Sequence, residues 1–179
     1  MDVVNALAES WPRRAPMRPP FAEVAREHLD VVFRYLVFLT ADPVLAEDLT
    51  GETFEKAFTS WKRFDPRRGS ERTWLCQLAR SKALDHFRSE ARRRRREDRS
   101  AVEATLVSEP LADGISPELE AALRALTAGE REVVVLRIVL ELDAVAAARV
   151  LGISRTACSM RLARALQKLE ERMEAHVVA

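Results

Sequence analysis

The chain has 179 residues, 47% of them hydrophobic and 32% charged, with 29 basic side chains against 28 acidic ones. That length allows one medium domain or two small ones and excludes a large multi-lobed enzyme. Five glycines and three scattered histidines leave little material for phosphate-cradling loops or metal sites, and no uninterrupted run of about 18 apolar residues offers a membrane span.

In chain order, Met1 to Pro20 carries three arginines, four prolines and Trp11 without the apolar core of a secretory signal, and reads as a flexible tail. A first helix is expected from Phe21 to about Leu39, burying Phe21, Val24, Leu29, Val32, Phe33, Leu36 and Leu39. Asp42 and Pro43 open a second helix, since an N-cap acceptor precedes a residue whose backbone angle is preset. Its inward side chains are expected to be Leu45, Leu49, Phe54, Ala57, Phe58 and Trp61. Phe64 to Gly69 reads as a loop, and Ser70 caps a long third helix running into Arg92 to Arg96. From Glu97 to about Ser116 the apolar period disappears, which marks an acidic linker. Beyond it, Leu119, Leu123 and Leu126 define a short helix, and Thr127 with Glu130 forms a capping box for a helix covering Val133 to Leu140. Sustained strand alternation is missing, so the fold class is all-α: two small helical domains joined by a flexible linker. The boundaries are 1–20 for the tail, 21–96 for the first domain, 97–115 for the linker and 116–179 for the second domain. Cys76 and Cys158 lie 82 positions apart in helical sequence, which suits reduced buried thiols in a cytoplasmic protein.

The near-zero net charge conceals segregation. Phe21 to Ser60 has 3 basic and 8 acidic residues, Trp61 to Arg96 has 13 and 4, and Glu97 to Glu130 has 2 and 8. The cationic stretch interleaves Trp61, Phe64, Trp74 and Phe87 with Lys62, Arg63, Arg67, Arg68, Arg72, Arg80, Lys82 and Arg88. Such a composition suits single-stranded nucleic acid, whose phosphates need charge and whose bases need stacking surfaces. Trp74, Leu75, Leu78 and Phe87 equally fit a helix core.

Near the C-terminus, Asp143 caps a short helix to Leu151, Gly152 supplies a tight turn, and Ser154 caps a helix to about Glu174. This is helix-turn-helix spacing, in which the second helix enters the major groove. Cys158, Leu162, Ala165 and Leu169 share its packing side. Thr156, Met160, Ala163, Arg164 and Gln167 lie opposite, flanked by Ser159 and Arg161. Arg155, Arg161, Arg164 and Lys168 supply phosphate anchors beside base readers. An ordinary helical hairpin has the same spacing.

Three stretches, taken in order, resemble the extracytoplasmic-function sigma factors, the small two-domain branch of the sigma-70 family. They are Ala46-Glu47-Asp48-Leu49-Thr50-Gly51-Glu52-Thr53-Phe54, then Trp74-Leu75 through Leu84-Asp85-His86-Phe87-Arg88, then Leu151-Gly152-Ile153-Ser154 with Arg161-Leu162-Ala163-Arg164-Ala165. The resemblance covers about Phe21 to Met173. It implies that the first domain is region two, which binds the polymerase clamp helices through Asp48, Leu49, Glu52 and Glu55. The same domain would melt the minus-10 element, for which motif position nominates Phe64, Arg72, Arg80, Ser81, Lys82, Asp85 and Arg88. The second domain would be region four, a helix-turn-helix reading the minus-35 element through Ser154, Arg155, Thr156, Ser159, Met160, Arg161 and Arg164. The implied partners are core RNA polymerase (clamp helices and flap), promoter DNA and an anti-sigma factor. No catalytic residue, metal, cofactor, small-molecule substrate or membrane insertion is expected. The acidic linker would imitate RNA in the polymerase channel. Gly51 stands where the family usually has glutamine, Ser81 replaces a common asparagine, and Ala157 and Ser159 replace the usual threonine and basic residue, so the promoter sequence is not inherited from relatives. The competing reading is an autonomous helix-turn-helix regulator, which leaves the Trp61 to Arg96 composition without a purpose.

Overall fold

The computed structural model describes residues 19–97 and 117–177. Nearly all of the expected N-terminal tail and of the acidic linker therefore lies outside the described residues. Among those described, all regular structure is helical. Helices α1 (Phe21–Thr40), α2 (Pro43–Ser60) and α3 (Glu71–Glu97) pack on one another. Helix α7 (Arg155–Val177) receives α4 (Pro117–Arg124), α5 (Ala128–Val134) and α6 (Ala144–Leu151).

Local chemistry places most of these boundaries. The Asp42 carboxylate accepts from the amides of Val44 (2.9 Å) and Leu45 (3.1 Å), with Pro43 at the first helical position. Ser70 Oγ accepts from the Thr73 amide at 3.2 Å where α3 begins. At α5 the capping box forms in full: Thr127 Oγ1 accepts from the Glu130 amide, and Glu130 Oε2 accepts from the Thr127 amide at 2.9 Å. The loop expected between α2 and α3 contains two 3-10 turns, Trp61–Arg63 and Pro66–Arg68, the second capped by Asp65.

Two expectations need correction. The helix expected over Val133 to Leu140 stays α-helical only to Val134 and then widens into a π turn over Val135–Val139, with the Leu140 amide donating to the Val135 carbonyl at 2.8 Å. The wider turn buries Leu136, Leu140 and Leu142 together while Ile138 and Val139 face out. Arg137 bonds the Leu142 carbonyl, and Glu141 takes a left-handed φ of 50° to complete the reversal. Second, Leu29 and Phe58 were expected inside but are 49% and 66% exposed. The buried positions of α2, Ala46, Leu49, Thr50, Thr53 and Ala57, share one narrow face, and Phe58 lies about 100° away from Ala57.

The core of the N-terminal bundle closes around an aromatic cluster. Phe21 meets Trp61 edge-on at 5.6 Å, Trp61 stacks on Phe64 at 5.0 Å, and Trp74 lies 5.8 Å from Trp61 and 5.2 Å from Phe64. The buried side chains of α1–α3 and of α5–α7 form one contiguous cluster, so the C-terminal helices dock on the bundle, chiefly α6 on α3.

Candidate nucleic-acid interface

The helix-turn-helix is built as its spacing demands. Asp143 Oδ1 accepts from the amides of Val145 (2.7 Å) and Ala146 (2.8 Å), and these backbone bonds hold its carboxyl below the usual carboxylate range. Gly152 adopts φ 68°, ψ 33°, and α6 ends with the amides of Gly152 and Ile153 donating to the carbonyls of Arg149 and Ala148. Ser154 then caps α7 by accepting from the Ala157 amide at 3.1 Å. Cys158 and Ala165 are wholly buried and Leu162 and Leu169 partly so, as the packing side requires. Arg155, Thr156, Ser159, Met160 and Arg164 are exposed, Met160 by 51%. Arg161 departs from this set. It is half-buried on the opposite flank of the helix, with its guanidinium against Gly129, so the structure does not bring it to the exposed face.

Glu130 and Lys168 fix this helix in place. Lys168 Nζ donates to Glu130 Oε1 at 2.7 Å across α5 and α7. That bond, followed by the Thr127 amide, lowers the Glu130 pKa from an ordinary 4.5 to about 2. A carboxyl depressed in the folded state stabilises fully above its unfolded pKa and loses that contribution as pH falls from about 4.5 towards 2. Because Lys168 is 48% exposed, solvent screening reduces the contribution to about 1–2 kcal/mol. Glu130→Gln should therefore lower the melting temperature at pH 7 and flatten its fall below pH 4.5, as followed by circular dichroism. Parallel acid profiles for the two proteins would contradict this role.

The minus-10 candidates on α3 divide among four surroundings. Ser81, Asp85 and Arg88 share one exposed face, where Arg88 donates to Asp85 at 3.1 Å. Lys82 instead donates to Glu52 of α2 at 2.8 Å, so a minus-10 candidate neutralises a polymerase candidate. Arg72 turns into the bundle, where its buried Nε finds no hydrogen-bond acceptor among the described residues. Arg80 points away from all of these to the C-terminal helices: its Nε and Nη2 donate to Glu132 Oε1 and Oε2 at 2.8 and 3.3 Å. Phe64, expected to stack on a base, is 5% exposed within the aromatic cluster, although it also lines a cavity of about 610 Å³. That cavity is walled by Arg63, Arg67, Arg68, Trp74 and Gln77 and is shared with Arg149 of α6.

On α2, Asp48, Glu52 and Glu55 are exposed, but Leu49 is 3% exposed and belongs to the core. Its place on the outer surface is taken by residues that sequence reading missed. Val44 (72% exposed) and Phe58 (66%) continue the line of Asp48, Gly51 and Glu55 at alternating spacings of four and three. The five lie within about 80° of arc, the stripe by which one helix receives another. Their spacing is a usable sequence signal, obscured because Phe58 also fits the inward period of the helix. The arginines of the cavity wall register in the sequence as charge but not as a site. Tyr35, Glu132 and Arg149 gave no signal, because their contacts span from 52 to 97 positions.

With this geometry in view, comparison with known proteins is decisive. Residues 24–93 match the Sigma-70 region 2 family and residues 116–169 the Sigma-70, region 4 family. The ECF RNA polymerase sigma factor SigC of Mycobacterium tuberculosis is 34% identical over 140 residues, covering 77% of this chain and 75% of that protein. The chain belongs to the ECF sigma factors. The ECF RNA polymerase sigma factor BldN of Streptomyces coelicolor is 29% identical over 154 residues, 83% of this chain, and the match spans 58% of that protein's length. Among solved structures, CnrH in complex with the cytosolic domain of CnrY is similar with a TM-score of 0.61 at 26% identity, covering 97% of this chain and 96% of that one. The sigma factor RpoE from Bartonella quintana, solved with the anti-sigma factor NepR, shares the fold with a TM-score of 0.71 at 23% identity, covering 86% and 96%.

Proposed function

We propose that this ECF sigma factor is a dissociable specificity subunit that joins core RNA polymerase and directs initiation at its own promoters, acting by binding and strand separation rather than by covalent chemistry. The observation that carries the reading is the ordered match to region two and region four in one chain whose helix-turn-helix leaves Arg155, Thr156, Ser159, Met160 and Arg164 on an open face. That face has the composition of a major-groove reader, with base contacts from polar and apolar side chains and phosphate contacts from arginines. Region two melts the minus-10 element on the surface formed by Ser81, Asp85 and Arg88 together with the arginine-walled cavity. An extruded base needs an enclosed stacking site beside cations, and Trp74 and Phe64 line that cavity. The protein works in the cytoplasm, and among the described residues no helix is long and apolar enough to cross a membrane. An anti-sigma protein is a further partner, as the complex of CnrH with the cytosolic domain of CnrY suggests.

Polymerase engagement falls to the α2 stripe. Its acidic middle suits a cationic partner helix, and Val44 and Phe58 bracket it with apolar contacts. Gly51 sits at the centre, exposed, and a Cβ built there would meet nothing within 4 Å. Gly51→Gln should therefore stabilise the fold by about 0.5 kcal/mol through helix propensity and strengthen polymerase binding, by adding a polar side chain at the centre of the stripe. Thermal melts and fluorescence-polarisation titrations with core enzyme measure the two effects, and weaker polymerase binding by the variant would count against the stripe.

The function itself is tested by transcribing a genomic fragment library with purified core polymerase, with and without this protein. New start sites sharing upstream sequences are the expected result. Tight binding to duplex operators without polymerase, and no new start sites, would point instead to an autonomous regulator.

A further inference from the structure

The cavity bounded by the two 3-10 turns, the start of α3 and α6 holds about 610 Å³, inside the roughly 300–1,000 Å³ of ordinary small-ligand sites. Its wall carries four arginines from three elements: Arg63 from the first turn, Arg67 and Arg68 from the second, and Arg149 from α6. The Arg149 guanidinium reaches over the second turn, where a Cβ on Gly69 would stand 2.9 Å from its Nη1. Gly69 holds φ 148°, which favours glycine, so the turn and the close approach both depend on the absent side chain.

These cations converge without being neutralised. Among the described residues, none of them joins an ion pair. Asp65 is the single acid among the described residues of the wall, and its Oδ1 accepts from the Arg67 amide to cap the second turn. Like charges gathered around a recess repel, and low-dielectric walls strengthen their field. An anion relieves that repulsion, and guanidinium forks pair with phosphate oxygens two bonds at a time.

A bare anion would leave the rest of the wall unused. Trp74 is half-buried and lines the recess beside the buried Phe64, offering an aromatic surface to a flat ring. Gln77 commits its Nε2 to the Arg149 carbonyl at 3.1 Å, and its Oε1 is left to accept from an amino group. Cations, ring and amide oxygen together match the phosphates, the base and the exocyclic amine of a nucleotide.

The origin of Arg149 separates a free nucleotide from a promoter strand. A strand sets its phosphates in file and meets the arginines of the turns in succession. Arg149 belongs to region four, whose own element lies about 25 base pairs from the minus-10 element, roughly 85 Å at ~3.4 Å per base pair. Promoter DNA therefore has no use for Arg149 at this cavity, whereas a ligand with its charge gathered at one end meets every guanidinium of the wall.

We infer that the cavity binds a nucleoside polyphosphate in the polymerase-free protein: Arg63, Arg67, Arg68 and Arg149 hold the phosphates, Trp74 stacks on the base and Gln77 accepts from its amino group. This site goes beyond the function proposed above, and only its consequence rests on that reading. The cavity is also where an extruded base would lodge, so a nucleotide bound there excludes the minus-10 strand.

Isothermal titration calorimetry of the full chain, free of polymerase and magnesium, compares ATP with inorganic tripolyphosphate. ATP should bind saturably and roughly tenfold more tightly than tripolyphosphate, because the base adds stacking. Arg68→Ala and Arg149→Ala should each weaken ATP binding about tenfold, with unchanged helicity since both side chains are exposed. Arg94→Ala removes an equal charge from the exposed end of α3, away from the cavity, and should leave affinity within about twofold. Absence of saturable binding, tripolyphosphate as tight as ATP, or an Arg94→Ala loss equal to that of Arg149→Ala each overturns the site. A labelled single-stranded oligonucleotide bearing the minus-10 sequence from the transcription experiment should be displaced from the free chain by ATP. If ATP binds with this pattern of variants and displaces nothing, the nucleotide site stands and the cavity is withdrawn as the base pocket. Failure of the functional reading is separate: no promoter-specific start sites would appear with core polymerase, whatever the calorimetry shows.

Discussion

Reversing Asp48 and Glu55 together to lysine is expected to weaken binding to core polymerase by roughly 30- to 100-fold, while the melting temperature stays within about a degree of wild type. Both carboxylates are exposed on the outer stripe of α2, and neither joins an ion pair among the described residues. Their loss therefore removes little from the fold, since surface substitutions of this kind usually stay within about 0.5 kcal/mol. Facing a cationic partner, the same change converts attraction into repulsion, and like charges brought together at an interface cost several kcal/mol. Glu52→Lys is the informative comparison. It places two ammonium groups where Lys82 now donates to a carboxylate at 2.8 Å, so it should disturb α2 against α3 as well as the polymerase contact. Titration of labelled core enzyme, paired with thermal melts, measures both effects. Wild-type affinity in the Asp48/Glu55 double variant would remove α2 as the docking surface.

Trp61→Ala should be the most damaging single substitution in the N-terminal bundle, costing about 3–5 kcal/mol. Trp61 is 9% exposed and touches Phe21 from α1, Phe64 from the connecting turn and Trp74 from α3, so it joins every element of the bundle at one point. A domain of this size has only about 5–15 kcal/mol of stability in total, so the variant should unfold at a much lower urea concentration. It should also lose oligonucleotide binding, because Phe64 and Trp74 line the cavity and rely on Trp61 for their positions. Phe58→Ala serves as the contrast. Its ring is 66% exposed, so stability should change little while polymerase affinity falls. Equal destabilisation by the two substitutions would contradict the division between core and docking surface.

What could be read from the sequence was local. Asp42, Ser70, Asp143, Ser154 and the Thr127–Glu130 pair each mark a helix start, because a cap is a contact between residues two or three positions apart. The packing side of α7 was legible for the same reason, since period alone separates Cys158, Leu162, Ala165 and Leu169 from the exposed face. Periodicity could not say which apolar residue at the edge of a buried face is covered. Leu29 and Phe58 show this: a neighbouring helix, absent from any local window, decides each case. Motif position nominated Arg80, Lys82 and Ser81 as a set, yet consecutive helical residues point about 100° apart, and the three have different surroundings. Charge counting found the cationic segment but not the carboxylate of Glu132 that occupies part of it.

The buried thiols carry a consequence for how such a protein is switched on. Cys76 is wholly enclosed, and burial pushes its thiol up to about 12. Cys158, also buried, is raised in the same direction. Peroxides and disulfides react with the deprotonated sulfur, and these are the chain's two cysteines. While folded, the protein is therefore poorly equipped to perceive oxidative stress through its own sulfhydryl chemistry. An oxidative signal that acts through thiol chemistry has therefore to be received by another molecule and relayed to it as a change in binding.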